Sequence, residues 1–117
     1  MTKKVVIIER DRDILEVVSY ILVDAGYAVS AIGPEDVTLE YIISEKPNLI
    51  LLDVINISKE GTALCKAIKD NPELGKIPVV ALSTHLKPQL IKETCADDVM
   101  KKPFDIDELL QIVEEHI

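Results

Sequence analysis

Asp53 closes the run Asn48 to Leu52, so a carboxylate stands where a buried strand would emerge into a loop, a place suited to a nucleophile or a metal ligand. Glu9 follows Val5 to Ile8, Ser83 follows Val79 to Leu82, and Lys102 precedes Pro103 and Phe104, so other apolar runs also end in a polar or charged group. Each alone reads as an ordinary loop group, but together at strand ends they favour a shared site. Arg10 breaks the pattern. A metal pocket would want an acid there, and guanidinium does not deprotonate in proteins.

The fold must bring these residues together. Apolar runs of strand length recur at 4–9, 27–31, 48–53, 77–83 and 98–101, with amphipathic stretches of helical length between them, and the alternation predicts a (βα)5 chain of the α/β class. The first, third and fourth runs are almost continuously apolar, as strands covered on both faces by helices must be, which favours a parallel sheet. In an open α/β sheet the loops at the carboxyl ends of the strands share one crevice. Glu9, Arg10, Asp53, Ser83 and Lys102 all fall at such ends.

In the first helix Ile14, Val18, Ile21, Leu22 and Ala25 keep the helical period, with Asp11 and Asp13 at its positive end and Gly26 placed to cap the other. The second is expected to open after Gly33, with Pro34 in its first turn, and to stop at Pro47. The third spans roughly 60–71 and buries Leu64, Cys65 and Ile68. The fourth, from Pro88 to Ala96, has the thinnest apolar set, Leu90, Ile91 and Cys95. The last runs from Ile106 to His116 on a face of Ile106, Leu109, Leu110 and Val113.

The 117 residues suit one domain, 1–117, able to bury a core without staples. A net charge of −8 with only two arginines, Arg10 and Arg12, argues against nucleic acid as a direct partner. No apolar stretch is long enough for a bilayer, and the start lacks the pattern of a secretory signal, so a cytoplasmic location with no membrane partner is expected. Cys65 and Cys95 have no metal-type spacing and are expected to be reduced packing thiols. No linker divides the chain, and it stops directly after the fifth helix, so no output domain is expected.

The chain resembles, over its whole length, the receiver domains of two-component response regulators, the CheY-like family. The segment from Asn48 to Gly61, with its eight-residue interval from Asp53, is similar to the family's phosphoacceptor strand and loop. Ile77 to Ser83 resembles the strand bearing its hydroxyl residue, and Ala96 to Leu110 its lysine–proline segment, where a cis Lys102–Pro103 bond is expected. The resemblance implies a doubly wound, five-stranded parallel sheet of the flavodoxin/CheY-like type, with strand order 2-1-3-4-5. It also implies a phosphorelay protein rather than an enzyme. Asp53 would take a phosphoryl group from a histidine kinase or phosphotransfer protein, with Lys102 and Ser83 on the phosphoryl oxygens and Mg²⁺ held by Glu9, Asp53 and the backbone carbonyl of Ile55. Phosphorylation would then bias the fourth helix and its loops between two conformations. A downstream protein would dock on the fourth helix, fifth strand and fifth helix, with Lys101, Glu108 and Gln111 as candidates.

Several departures weigh on that expectation. The family places two acids after its first strand; Glu9 and Arg10 stand there in this chain. A dication and a guanidinium about 5 Å apart repel by roughly 6–7 kcal/mol at an effective dielectric of about 20. Arg10 can fold over Asp53 as a counter-ion, extend into solvent and leave a weakened Mg²⁺ site helped by Asp11, or anchor a phosphoryl oxygen itself. Val99 replaces the aromatic ring that follows the hydroxyl residue inward, Ile57 replaces a loop proline, and Thr84 stands where a small residue is common. Two readings therefore remain, a phosphoacceptor on Asp53 and a pseudo-receiver that engages partners without phosphorylation. A flavodoxin-like cofactor protein fits less well, because the loop Glu9 to Asp13 offers acids where phosphate needs Gly, Ser or Thr. His85 and His116 read as solvated side chains rather than as members of a hydrolase site.

Overall fold

The computed structural model describes residues 2–85 and 87–117. Ten elements alternate along the chain: β1 (Lys4–Ile8), α1 (Arg12–Asp24), β2 (Ala28–Ile32), α2 (Leu39–Glu45), β3 (Leu49–Asp53), α3 (Ala63–Asp70), β4 (Val79–Ser83), α4 (Pro88–Thr94), β5 (Asp98–Lys101) and α5 (Ile106–His116). All four strand pairings are parallel and the order is β2-β1-β3-β4-β5, the flavodoxin/CheY-like arrangement expected.

The continuous apolar runs are explained by two buried faces. Successive side chains of a strand point to opposite sides of the sheet. Val6, Ile8, Ile50, Leu52, Val79 and Ala81 pack with Ile42 of α2, Cys65 and Ile68 of α3 and Ile91 of α4. Val5, Ile7, Leu49, Leu51, Val80 and Leu82 pack with Val18 and Leu22 of α1 and Leu109 and Val113 of α5. One face thus carries α2, α3 and α4, the other α1 and α5.

Helix ends follow local chemistry. Asp11 caps α1, its carboxylate accepting from the N–H groups of Asp13 and Ile14 at 2.9 and 3.2 Å. At the other end Gly26 takes φ +99°, and the N–H groups of Tyr27 and Gly26 donate to the carbonyls of Leu22 and Val23, the Schellman arrangement. The start of α2 corrects the sequence expectation: residues from Gly33 to Asp36 form a turn, and the helix begins only at Leu39. Thr38 causes this, because its hydroxyl accepts from Tyr41 N–H at 3.0 Å and fixes the N-cap there. Helix α3 starts at Ala63 rather than near residue 60.

The two cysteines also overturn the expectation of separate packing thiols. Cys65 of α3 and Cys95 at the C-cap of α4 are joined as a disulfide, with Cα atoms 5.8 Å apart. Both sit on the α2–α3–α4 face, where the packing of α3 and α4 against β4 brings together residues 30 apart in sequence.

Candidate functional site

The site lies beyond the carboxyl ends of β1, β3, β4 and β5. Asp53 is the last residue of β3 and pairs in register with Leu82, so Ser83 projects one position further on the neighbouring strand. Ser83 in turn pairs with Lys101, and the N–H of Lys102 donates to the Ser83 carbonyl at 2.8 Å, which carries Lys102 into the same crevice. The Lys102–Pro103 peptide bond is cis. Glu9 extends β1 by one rung, its N–H donating to the Ile32 carbonyl at 3.2 Å. Its carboxylate Oε2 accepts from Asp11 N–H at 3.1 Å, tying the loop to the cap of α1.

Four charged groups meet there. Arg10 Nε donates to Asp53 Oδ2 at 2.5 Å, and Lys102 Nζ donates to Asp53 Oδ1 at 3.1 Å, so both carboxylate oxygens have a cationic partner. Lys102 Nζ also pairs with Glu9 Oε1, an oxygen that accepts no hydrogen bond among the described residues and has this ion pair as its compensation. The Glu9 side chain is fully buried and that of Asp53 is 6% exposed, whereas Arg10 is 49% exposed and reaches in from the rim. Of the three courses open to Arg10, the structure shows the first: it folds over Asp53.

Burial pushes both acids up, but their neighbours separate them. Burial outweighs the Lys102 and Asp11 contacts at Glu9, and the adjacent Asp53 carboxylate adds to the rise, so Glu9 lies above the ordinary carboxylate range. At Asp53 burial is outweighed by the hydrogen bond from Arg10 and by the charge and hydrogen bond of Lys102, which hold it below that range. The two titrate as a pair.

Ser83 is present but differently engaged. It is buried, and its hydroxyl oxygen accepts from the His85 N–H at 3.0 Å, a turn formed by its own loop. Sequence reasoning missed this bond, although a Ser two residues before a loop N–H is a recognisable turn signal. Ile55, proposed for its carbonyl, lies on the loop two residues past Asp53 with its side chain exposed. Val99 is half-buried, packing against the α2–α3–α4 core.

A divalent cation does not fit this arrangement. A hard cation needs several free oxygen donors. Here Asp53 offers both oxygens to cations, Oδ2 to the guanidinium and Oδ1 to Lys102, and Glu9 offers one to Lys102 and one to Asp11. With both acids ionised, two negative charges already face two positive ones. In that state the pocket is neutral without a metal.

The family described as "Response regulator receiver domain" matches residues 5–114. Among solved structures, the chemotaxis response regulator CheY4 of Vibrio cholerae is 26% identical, with a TM-score of 0.86 and full coverage of both chains. The receiver domain of a signal transduction histidine kinase from Syntrophus aciditrophicus is 27% identical, with a TM-score of 0.83 over 97% of this chain and 89% of that one. NtrX from Brucella abortus, solved in complex with ADP, is 27% identical with a TM-score of 0.83 over 99% of this chain, which spans only 27% of the NtrX chain.

Proposed function

This chain belongs to the response regulator receiver domain family, and from that premise we propose that it serves two-component signalling as a metal-free receiver module, engaging its partners by protein contact with Asp53 held as an unmodified carboxylate. The observation that supports this reading above all is the placement of Arg10 Nε 2.5 Å from Asp53 Oδ2. Attack on a phosphoryl group needs a free carboxylate oxygen and a cation to screen two anions from each other. Arg10 and Lys102 occupy both oxygens and leave no charge for a metal to neutralise. In this reading the module is not an enzyme and works in the cytoplasm. Among the described residues no helix is long and apolar enough to cross a membrane.

The partner surface we assign is the face built from α4, β5 and α5. Lys101, Glu108 and Gln111 are exposed there and line one groove together with Val99 and Ile112. Mixed charge around a partly apolar floor suits a transient protein contact.

A second reading has an observation of its own. Asp53, Ser83 and Lys102 stand on adjacent strand ends, and Arg10 is half exposed, so it can swing out and leave Asp53 to accept a phosphoryl group. Beryllofluoride with Mg²⁺, a phosphoryl mimic, separates the two. We expect no saturable amide shifts in the native chain and clear shifts around Asp53, Ser83 and Lys102 in Arg10→Asp. Saturable shifts in the native chain would establish the phosphoacceptor reading instead.

A further inference from the structure

Away from the crevice, one covalent link spans two helices. Cys65 is buried within α3, and Cys95 is partly exposed at the end of α4. Their Cα separation of 5.8 Å lies within the range a disulfide bridges. In signalling proteins of reducing compartments such pairs are seldom permanent; where they occur they are commonly transient and redox-sensing.

Helix α4 is the element that depends on this link. It has seven residues, its N-cap Lys87 supplies no side-chain hydrogen bond, and Ile91 is its sole fully buried residue among those described. So short a helix has little stability of its own and is held by whatever it packs against. The Cys95 N–H donates to the Ile91 carbonyl at 3.0 Å, so the residue that caps the helix also carries the sulfur that fastens it to α3.

We propose that Cys65 and Cys95 form a thiol–disulfide exchange site for low-molecular-weight disulfides of the oxidised-glutathione class, entered from the Cys95 side, whose bond state sets how firmly α4 is held against α3. The Cys95 thiolate attacks one sulfur of the small disulfide, forming a mixed disulfide and releasing one thiol. The Cys65 thiolate then attacks the Cys95 sulfur and releases the second. Two protein thiols are oxidised, one small disulfide is reduced to two thiols, and the two cysteine protons leave with those thiols. Exposure orders the steps: Cys95 can be reached from solvent, and Cys65 needs to meet only its neighbour. The proposal is independent of whether Asp53 is ever modified.

The test uses the full chain equilibrated across a series of reduced-to-oxidised glutathione ratios. Intact mass and thiol alkylation report the bond, and amide hydrogen exchange over residues 88–94 reports α4. At oxidising ratios the chain should become lighter by two hydrogens and resist alkylation. Exchange across α4 should slow by about tenfold or more, a local change in opening of the kind hydrogen exchange resolves, and reductant should reverse all three. Cys95→Ser, at the partly exposed position, should leave α4 exchange insensitive to the ratio; Cys65→Ala should do the same, and each serves as the check if the other folds poorly. Thiols that stay alkylatable under oxidising glutathione, or α4 exchange that is equal in the two redox states, would overturn the proposal.

Discussion

Removing Arg10 should open the pocket to Mg²⁺, and the structure sets the size of the effect. A Mg²⁺ ion on Asp53 Oδ2 would lie about 2.1 Å from that oxygen. Arg10 Nε lies 2.5 Å from the same atom, so while the ion pair holds, Mg²⁺ and Nε cannot be more than about 4.6 Å apart. At that separation they repel by about 7 kcal/mol at an effective dielectric of about 20, and by about 2 kcal/mol at the dielectric of water. Arg10 is 49% exposed, so solvent screens its charge and the smaller figure governs. About 2 kcal/mol corresponds to roughly 25-fold in affinity. Arg10→Ala should therefore bind Mg²⁺ about 25-fold more tightly than the native chain, and Arg10→Asp should add a further factor of similar size by supplying a donor. Arg10→Lys keeps the charge and should stay weak. Calorimetric titration, with amide shifts at Asp53 and Lys102 to locate the ion, gives the comparison. If the native chain binds Mg²⁺ within about threefold of Arg10→Ala, the charge-balance argument is wrong.

Three other outcomes follow from the same structure. Asp53 is held below and Glu9 above the ordinary carboxylate range, so their contributions to stability run in opposite senses with pH. The folded state binds fewer protons at Asp53 than the unfolded chain does; that contribution is complete above the ordinary Asp range and is lost as pH falls through the folded midpoint. At Glu9 the folded state binds more, so stability declines as pH rises from the ordinary Glu range to the raised midpoint, and denaturant midpoints across mildly acidic pH should lose that decline in Glu9→Gln. Asp105 caps α5 by accepting from Glu108 N–H at 2.8 Å, and Asp105→Ala should lower stability by about 1 kcal/mol in urea unfolding. The Cys65–Cys95 bridge closes a loop with a sequence separation of 30. The oxidised chain should exceed the reduced one by about 3–4 kcal/mol, or roughly 12–16 °C in Tm by calorimetry.

Much of the fold was legible because its causes are local. Continuous Val, Ile and Leu runs required two covered faces, Asp11 and Gly26 marked the ends of α1, and the strand ends predicted where Glu9, Asp53, Ser83 and Lys102 would gather. The start of α2 was misread because Pro34 is compatible with both a first turn and a β-turn, while the Thr38 cap bond decides the matter in three dimensions. The cysteine pair was misread for a different reason. Their spacing carries no signal, and only the packing of α3 and α4 beside β4 makes them neighbours. Arg10 lies between these cases: its type was plain, yet its direction depended on which of solvent, phosphate or carboxylate offered the better partner.

That direction changes what kind of control the crevice can exert. A metal ion is an exchangeable charge, present in proportion to its concentration and removable by a chelator. Arg10 supplies a cation that no dilution or chelation can withdraw, and its planar fork is a good partner for a carboxylate. Arg10 reaches in from the rim, whereas Lys102 is 12% exposed and paired with both Asp53 and Glu9. The crevice thus has one largely buried, doubly paired cation and one at its rim, where a metal site would have a lysine and a diffusible ion. Any anion that displaces Asp53 from Arg10 must outcompete a carboxylate tethered within 2.5 Å, so the resting state is favoured unless the incoming group carries more charge than the one it replaces.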